Sequence, residues 1–134
     1  MALLKLSKAK EMGAELHFDF KIPEKLNIET FDMNCILGNL LDNVLDAFEN
    51  VERRIVYLQM TYQKGVLNFC LRNSFNGQLK VNEKNQLLSI KQGDAKRHGL
   101  GVKSIIETVE RYDGEFEYEC EGNVFSVYIM MYER

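Results

Sequence analysis

Long apolar runs, a basic excess, paired cysteines and more than one proline are all missing from these 134 residues. No apolar stretch approaches the roughly 20 residues that cross a bilayer. The opening MALLKLSKAK is too short and too mixed for a secretory signal, and its apolar spacing suits a short helix. The net charge of −3 includes no Lys/Arg stripe, which excludes nucleic acid as the main partner. Cys35, Cys70 and Cys120 are odd in number, scattered, and set in apolar segments. They read as small buried hydrophobes in a reducing compartment, not as a disulfide framework or metal site. These absences predict a cytoplasmic domain with no direct membrane contact. The single proline, Pro23, sits in IPEKLN, a polar joint, and neither repeats nor low-complexity segments divide the chain.

What is present fits one domain over 1–134: a 46% hydrophobic content gives a core, and the length is too short for two. Leu16, Phe18 and Phe20 alternate with His17, Asp19 and Lys21, the period of a half-buried strand. From Met33 to Phe48 apolar residues recur at helical spacing, predicting a helix over about 31–51 with Thr30 or Asp32 as its cap. Strands are expected over 55–62 and 66–72 around Gln63-Lys64-Gly65, and over 115–120 and 124–132 around Glu121-Gly122-Asn123. Between these pairs lies a polar segment, 74–97, and then a helix from near Gly101 to just before Asp113-Gly114. Helices and strands do not alternate. The expected fold is therefore α+β: a two-layer sandwich whose mixed, mainly antiparallel sheet carries its helices on one face.

Three stretches carry chemistry. In Gly38-Asn39-Leu40-Leu41-Asp42-Asn43, two carboxamides lie four apart on one helix face, at the rim of the apolar stripe. An amide oxygen is a hard neutral ligand suited to Mg²⁺, although a polar plug bonded to a loop would show the same pair. In Lys96-Arg97-His98-Gly99-Leu100-Gly101-Val102, glycines precede a helix, an arrangement that lets main-chain amides meet phosphate and that also occurs in ordinary turns. In Leu71-Arg72-Asn73-Ser74, a carboxamide at a strand exit could meet a base edge or cap a turn.

Jointly and in this order, the three resemble the GHKL family: gyrase, the ninety-kilodalton chaperones, mismatch-repair ATPases and histidine kinases. The resemblance covers about residues 30–132 and is closest to the peptide-sensing histidine kinases of the quorum-sensing type. It implies the Bergerat-type ATP-binding fold with ATP and Mg²⁺ as cofactors. Asn43 would be the Mg²⁺ ligand and Asn39 its neighbour in the nucleotide pocket. Gly99, Leu100, Gly101 and Val102 would face the phosphates, with Lys91 and His98 nearby and a lid over about 76–97. Asn73 stands where most of the family has an aspartate that accepts from the adenine amino group. A neutral bond there would weaken binding by about 1 kcal/mol. Val44 replaces the usual alanine, and Asp46 a residue that is basic in many histidine kinases.

Asn39 occupies the place of the glutamate base of the hydrolytic branches, and an amide cannot accept that proton. The resemblance thus implies a kinase that presents the γ-phosphate to a histidine on separate phosphoacceptor and dimerisation helices, with a response regulator downstream. Neither His17 nor His98 has the setting of an acceptor, so no catalytic histidine is expected within the chain. Two other functions share the fold: a pseudokinase-like interaction module, and an anti-sigma-type Ser/Thr kinase.

Overall fold

The computed structural model describes residues 2–49, 51–77, 80–81, 87–89 and 95–134, with side chains over 4–49, 51–77 and 101–134. The chain runs α1 (Ala2–Glu11), β1 (Glu15–Lys21), α2 (Thr30–Phe48), β2 (Ile55–Gln63), β3 (Val66–Ser74), β4 (Lys80–Val81), β5 (Leu87–Ser89), α3 (Ala95–Arg111), β6 (Glu115–Glu121) and β7 (Val124–Tyr132). Five strands form one sheet in the order β1-β2-β3-β7-β6, and β4 pairs with β5 in a separate ribbon. Among the described residues only β1 and β2 pair in parallel, and α2 supplies the crossover that a parallel pair requires. The remaining pairs are antiparallel, as expected.

Strand alternation sorts the two faces. Val56, Leu58 and Met60 of β2, Leu67, Phe69 and Leu71 of β3, and Phe125, Val127, Ile129 and Met131 of β7 are buried on one face. The stripes of α2 (Ile36, Leu40, Val44, Phe48) and α3 (Ile105, Val109) complete the same core. Each such side chain contributes about 1.5–3 kcal/mol by leaving water. Val44 is part of this core at 1% exposure, so its extra methyls serve packing. Helix α1 rests on α2, where the Lys5 ammonium donates to the Gly38 carbonyl (3.0 Å) and pairs with Asp42 (2.9 Å).

The connections follow local chemistry. Lys64 and Gly65 both have positive φ (50° and 81°), the requirement of a two-residue type I′ hairpin between right-twisted strands. Gly122 alone is positive in the second hairpin (59°), the type II′ pattern. At the end of α3 it is Asp113 that takes the left-handed conformation (φ 54°). Gly114 is needed for a different reason: a Cβ there would lie 2.0 Å from the Met130 carbonyl oxygen.

Four sequence expectations require correction. Helix α2 is capped by neither Thr30 nor Asp32; Glu29 is the N-cap residue, without a side-chain bond, because Asp32 is drawn into tertiary contacts. Helix α3 starts at Ala95, six residues before Gly101, since two glycines do not prevent a helix that packs against neighbours. Within the segment expected to be a loop, Lys80–Val81 and Leu87–Ser89 form the β4–β5 ribbon. The cysteines are not uniformly buried: Cys35 and Cys70 are half-buried, and Cys120, on the outermost strand, is exposed.

Replacing Gly114 by alanine is expected to cost at least about 2 kcal/mol, because the new methyl meets backbone rather than a side chain that can turn away. Urea denaturation of Gly114→Ala beside wild type measures it.

Candidate functional site

Helices α2 and α3 lie antiparallel, and three contacts spaced along them fix their register. At one end Asp32, 8% exposed, receives a bond from Arg111 Nη2 (2.6 Å) on one carboxylate oxygen and from the Tyr112 hydroxyl (2.5 Å) on the other. The same hydroxyl accepts from the Glu29 amide at 3.0 Å. One turn along α2, Thr108 Oγ1 approaches Cys35 Sγ (3.7 Å) and donates to the Ser104 carbonyl (2.8 Å). A further turn along, Asn39 meets Gly101: a Cβ on Gly101 would lie 3.3 Å from Asn39 Oδ1. The glycine thus lets α3 approach this carboxamide closely.

Asn39 is oriented from its own helix. Its Nδ2 donates to the Cys35 carbonyl (2.8 Å) and lies 3.5 Å from Cys35 Sγ. This back-bond spends the nitrogen on the helix and leaves Oδ1 toward α3. Asn43 sits one turn further along α2 and is half-buried. Asn73, 3% exposed, is the penultimate residue of β3 and pairs in register with Val56 and Phe125. It shares the helix-covered face with Leu71 and Phe69, and its Nδ2 donates to the Ser74 carbonyl (3.0 Å).

Of the residues singled out from sequence, the structure joins Asn39 to Gly101 and sets Asn73 on the sheet face that the helices cover. Val102 is buried at 3%. Gly99, Leu100 and His98 lie on helical backbone within α3, their side chains outside the described residues. Lys91 and most of the expected lid also lie outside the described residues. Because α3 begins at Ala95, the amides of Gly99–Val102 fall within the helix, not at its head as expected. The Asp32–Arg111–Tyr112 cluster escaped the sequence reading, which took Asp32 for a helix cap. Its partners are about 80 residues away, and no local pattern marks them.

The environment of Tyr112 raises its pKa, first through burial and then through its hydrogen bond to the Asp32 carboxylate. A folded-state pKa above the ordinary 10.0 means that the stabilisation is complete below about pH 10 and fades as pH rises through the raised value. Above pH 10, wild type is therefore expected to lose stability more steeply than Tyr112→Phe, as urea midpoints against pH will show. Asp32→Ala, which leaves the buried Tyr112 hydroxyl without its acceptor, is expected to cost about 1–3 kcal/mol at neutral pH in the same assay.

The GHKL domain family is matched by residues 28–132. A probable C4-dicarboxylate sensor kinase of Halalkalibacterium halodurans is 29% identical over 138 residues, covering 96% of this chain and 26% of that protein. The chain thus spans about a quarter of the length of this curated relative. Among solved structures, the catalytic domain of the histidine kinase ThkA superposes with a TM-score of 0.72 at 16% identity, over 98% of this chain and 86% of that one. The Acinetobacter baumannii histidine kinase AdeS gives 0.68 at 9%, over 98% and 60%. Full-length ShkA in complex with AMPPNP gives 0.65 at 17%, over 98% and 28%. With its family match spanning most of the sequence and its architecture shared with histidine-kinase catalytic domains, the chain belongs to the GHKL domain family.

Proposed function

We propose that this domain binds ATP with Mg²⁺ between α2 and α3 and presents the γ-phosphate to a histidine on another domain of a larger sensor kinase. The observation that carries the reading is the meeting of Asn39 with Gly101, which unites two motifs more than 60 residues apart in sequence. The contacts 32–111, 35–108 and 39–101 progress along antiparallel helices. One more turn of α2 brings Asn43 level with the first turn of α3. There the helix has its free amides and the positive end of its dipole, both suited to phosphate oxygens. In this arrangement Gly101 serves close helix approach, and the amide donors are nearer Ala95 than the Gly99–Val102 stretch suggests.

The donor set fits the cation. Asn43 offers a neutral oxygen of the kind Mg²⁺ accepts while it keeps water and phosphate ligands. When bound, the ion neutralises phosphate charge. Asn39 and Asn43 bring no carboxylate to the position of a hydrolytic base, so water is not activated by either. Asn73, whose Nδ2 donates to the Ser74 carbonyl, is the residue assigned to accept from the adenine amino group through its amide oxygen. The acceptor helices, the response regulator and a cytoplasmic setting belong to the same proposal.

Calorimetric titration with Mg-ATP tests it. Wild type binds, Asn43→Ala loses the Mg²⁺-dependent part of binding, and Gly101→Ala weakens it by forcing Asn39 aside. At a hundredfold excess over Kd, ATP adds about 2.7 kcal/mol to stability. Binding by Asn43→Ala equal to wild type would remove the assignment. The isolated chain is also expected to take no label from γ-labelled ATP until phosphoacceptor helices are supplied.

A further inference from the structure

At the opposite side of the sheet from β1, strand β6 is the last in the order and pairs only with β7 among the described residues. Its sequence, EFEYECE, has strict period two. Glu115, Glu117, Glu119 and Glu121 stand on the open sheet face, opposite Met130, Tyr128, Ser126 and Val124. Phe116, Tyr118 and Cys120 stand on the helix face, opposite the buried Ile129, Val127 and Phe125. That apolar row is only partly covered: Phe116 is half-buried, Tyr118 is 37% exposed and Cys120 is exposed.

Beside it, α3 and β6 enclose an open notch of about 340 Å³ lined by Ile106, Val109, Glu110, Gly114, Phe116 and Glu117. The floor is apolar and the rim acidic. Glu107 and Glu110 add two more exposed carboxylates from α3. None of these glutamates forms a salt bridge among the described residues.

We propose that the free edge of β6 is a docking site for an extended segment of another protein in which basic and apolar residues alternate. Three features of the edge each specify part of that occupant. The outward N–H and C=O groups of β6 call for a strand, which would extend the sheet by main-chain hydrogen bonds. The glutamates recur every second residue, about 6.8 Å apart, the side-chain spacing of an extended chain and not of a helix. Basic side chains on one face of the incoming strand therefore meet the glutamate row at cross-strand distance. Apolar side chains on its other face cover Phe116 and Tyr118, and one fills the notch against Ile106.

The same carboxylates do not serve a metal: no group of three or more His, Cys, Asp or Glu is placed to hold one among the described residues. The other edge, β1, gives no such instruction. Its open face carries Glu15, His17, Asp19 and Lys21, of mixed sign, with His17 paired to Glu15 at 3.1 Å and stacked on Tyr57. A second copy offering β1 lacks the uniform charge that the β6 row selects.

The test uses the full 134-residue chain and a fluorescent seven-residue peptide of alternating lysine and valine, matched in length to β6, beside a composition-matched scramble. Fluorescence anisotropy at low salt is expected to show the alternating peptide binding roughly tenfold or more tightly than the scramble. Glu115→Lys with Glu117→Lys, both at exposed positions, should weaken binding by roughly tenfold or more, and Asn43→Ala should leave it unchanged. In hydrogen exchange, the β6 amides that face away from β7 should gain protection on peptide addition. Equal binding of the scramble overturns the proposal by reducing it to a bulk charge effect, and binding indifferent to the charge reversal overturns it by showing that the glutamate row takes no part. Protection that appears at β1 instead of β6 overturns it equally. Failure of ATP binding would leave this result standing, because the two rest on different surfaces.

Discussion

The placement of the Asn39 and Gly101 motifs against each other depends on how closely α2 and α3 lie side by side. Their register is held at one end by a buried carboxylate and at the other by the lack of a side chain. Asp32 satisfies both oxygens with groups from the end of α3, so a shift of one helix along the other would leave a desolvated charge without donors. Gly101 works in the opposite sense, by leaving room for Asn39. An attraction and a permitted approach, three turns apart on α3, set the distance at which the Asn39 carboxamide meets the second helix.

The sheet makes that pairing possible without entering it. Five strands present one continuous apolar face, and α2 and α3 can bury their stripes against it only by lying next to each other. Arg54 ties the surrounding connections together: Nε donates to the carbonyls of Phe48 and Val51, and Nη1 to that of Met12. The C-terminal end of α2 and the turn after α1 are thus fixed to the start of β2. Asn73 emerges from the same sheet face, so the strand that builds the core also delivers a polar group to its boundary.

The two edges of the sheet differ in chemistry. One carries mixed charge, in which His17 finds its partner within its own strand. Both leave aromatic surface partly uncovered, Phe18 and Phe20 on β1 and Tyr118 on β6, but the other edge, β6, carries a single sign of charge on its open face. Like charges in a row on an exposed strand repel and disfavour pairing with an identical edge, while they favour a basic one. The uncovered face of Phe116 and Tyr118 adds a hydrophobic gain to that preference.

Periodicity carried most of the architecture. The amphipathic run from Met33 to Phe48, the alternation at Leu16–Lys21 and the hairpin at Lys64-Gly65 are local patterns, and local sterics and one-sided burial suffice to translate them into α2, β1 and the β2–β3 turn. The three motifs, read together, were also enough to indicate the family, because residue type and order survive in the linear chain. Long-range partners were not legible. Asp32 has the composition of a helix cap, and only the approach of Arg111 and Tyr112 gives it another task. The start of α3 at Ala95 was equally hidden, because glycine's poor helix propensity is a penalty of about 1 kcal/mol per residue that burial against α2 can outweigh. The sequence by itself determined most of the helix and strand segments and the motifs that mark the family. Tertiary packing alone decided which of them meet, since register between distant elements comes from desolvation and shape, which no nearest-neighbour pattern encodes.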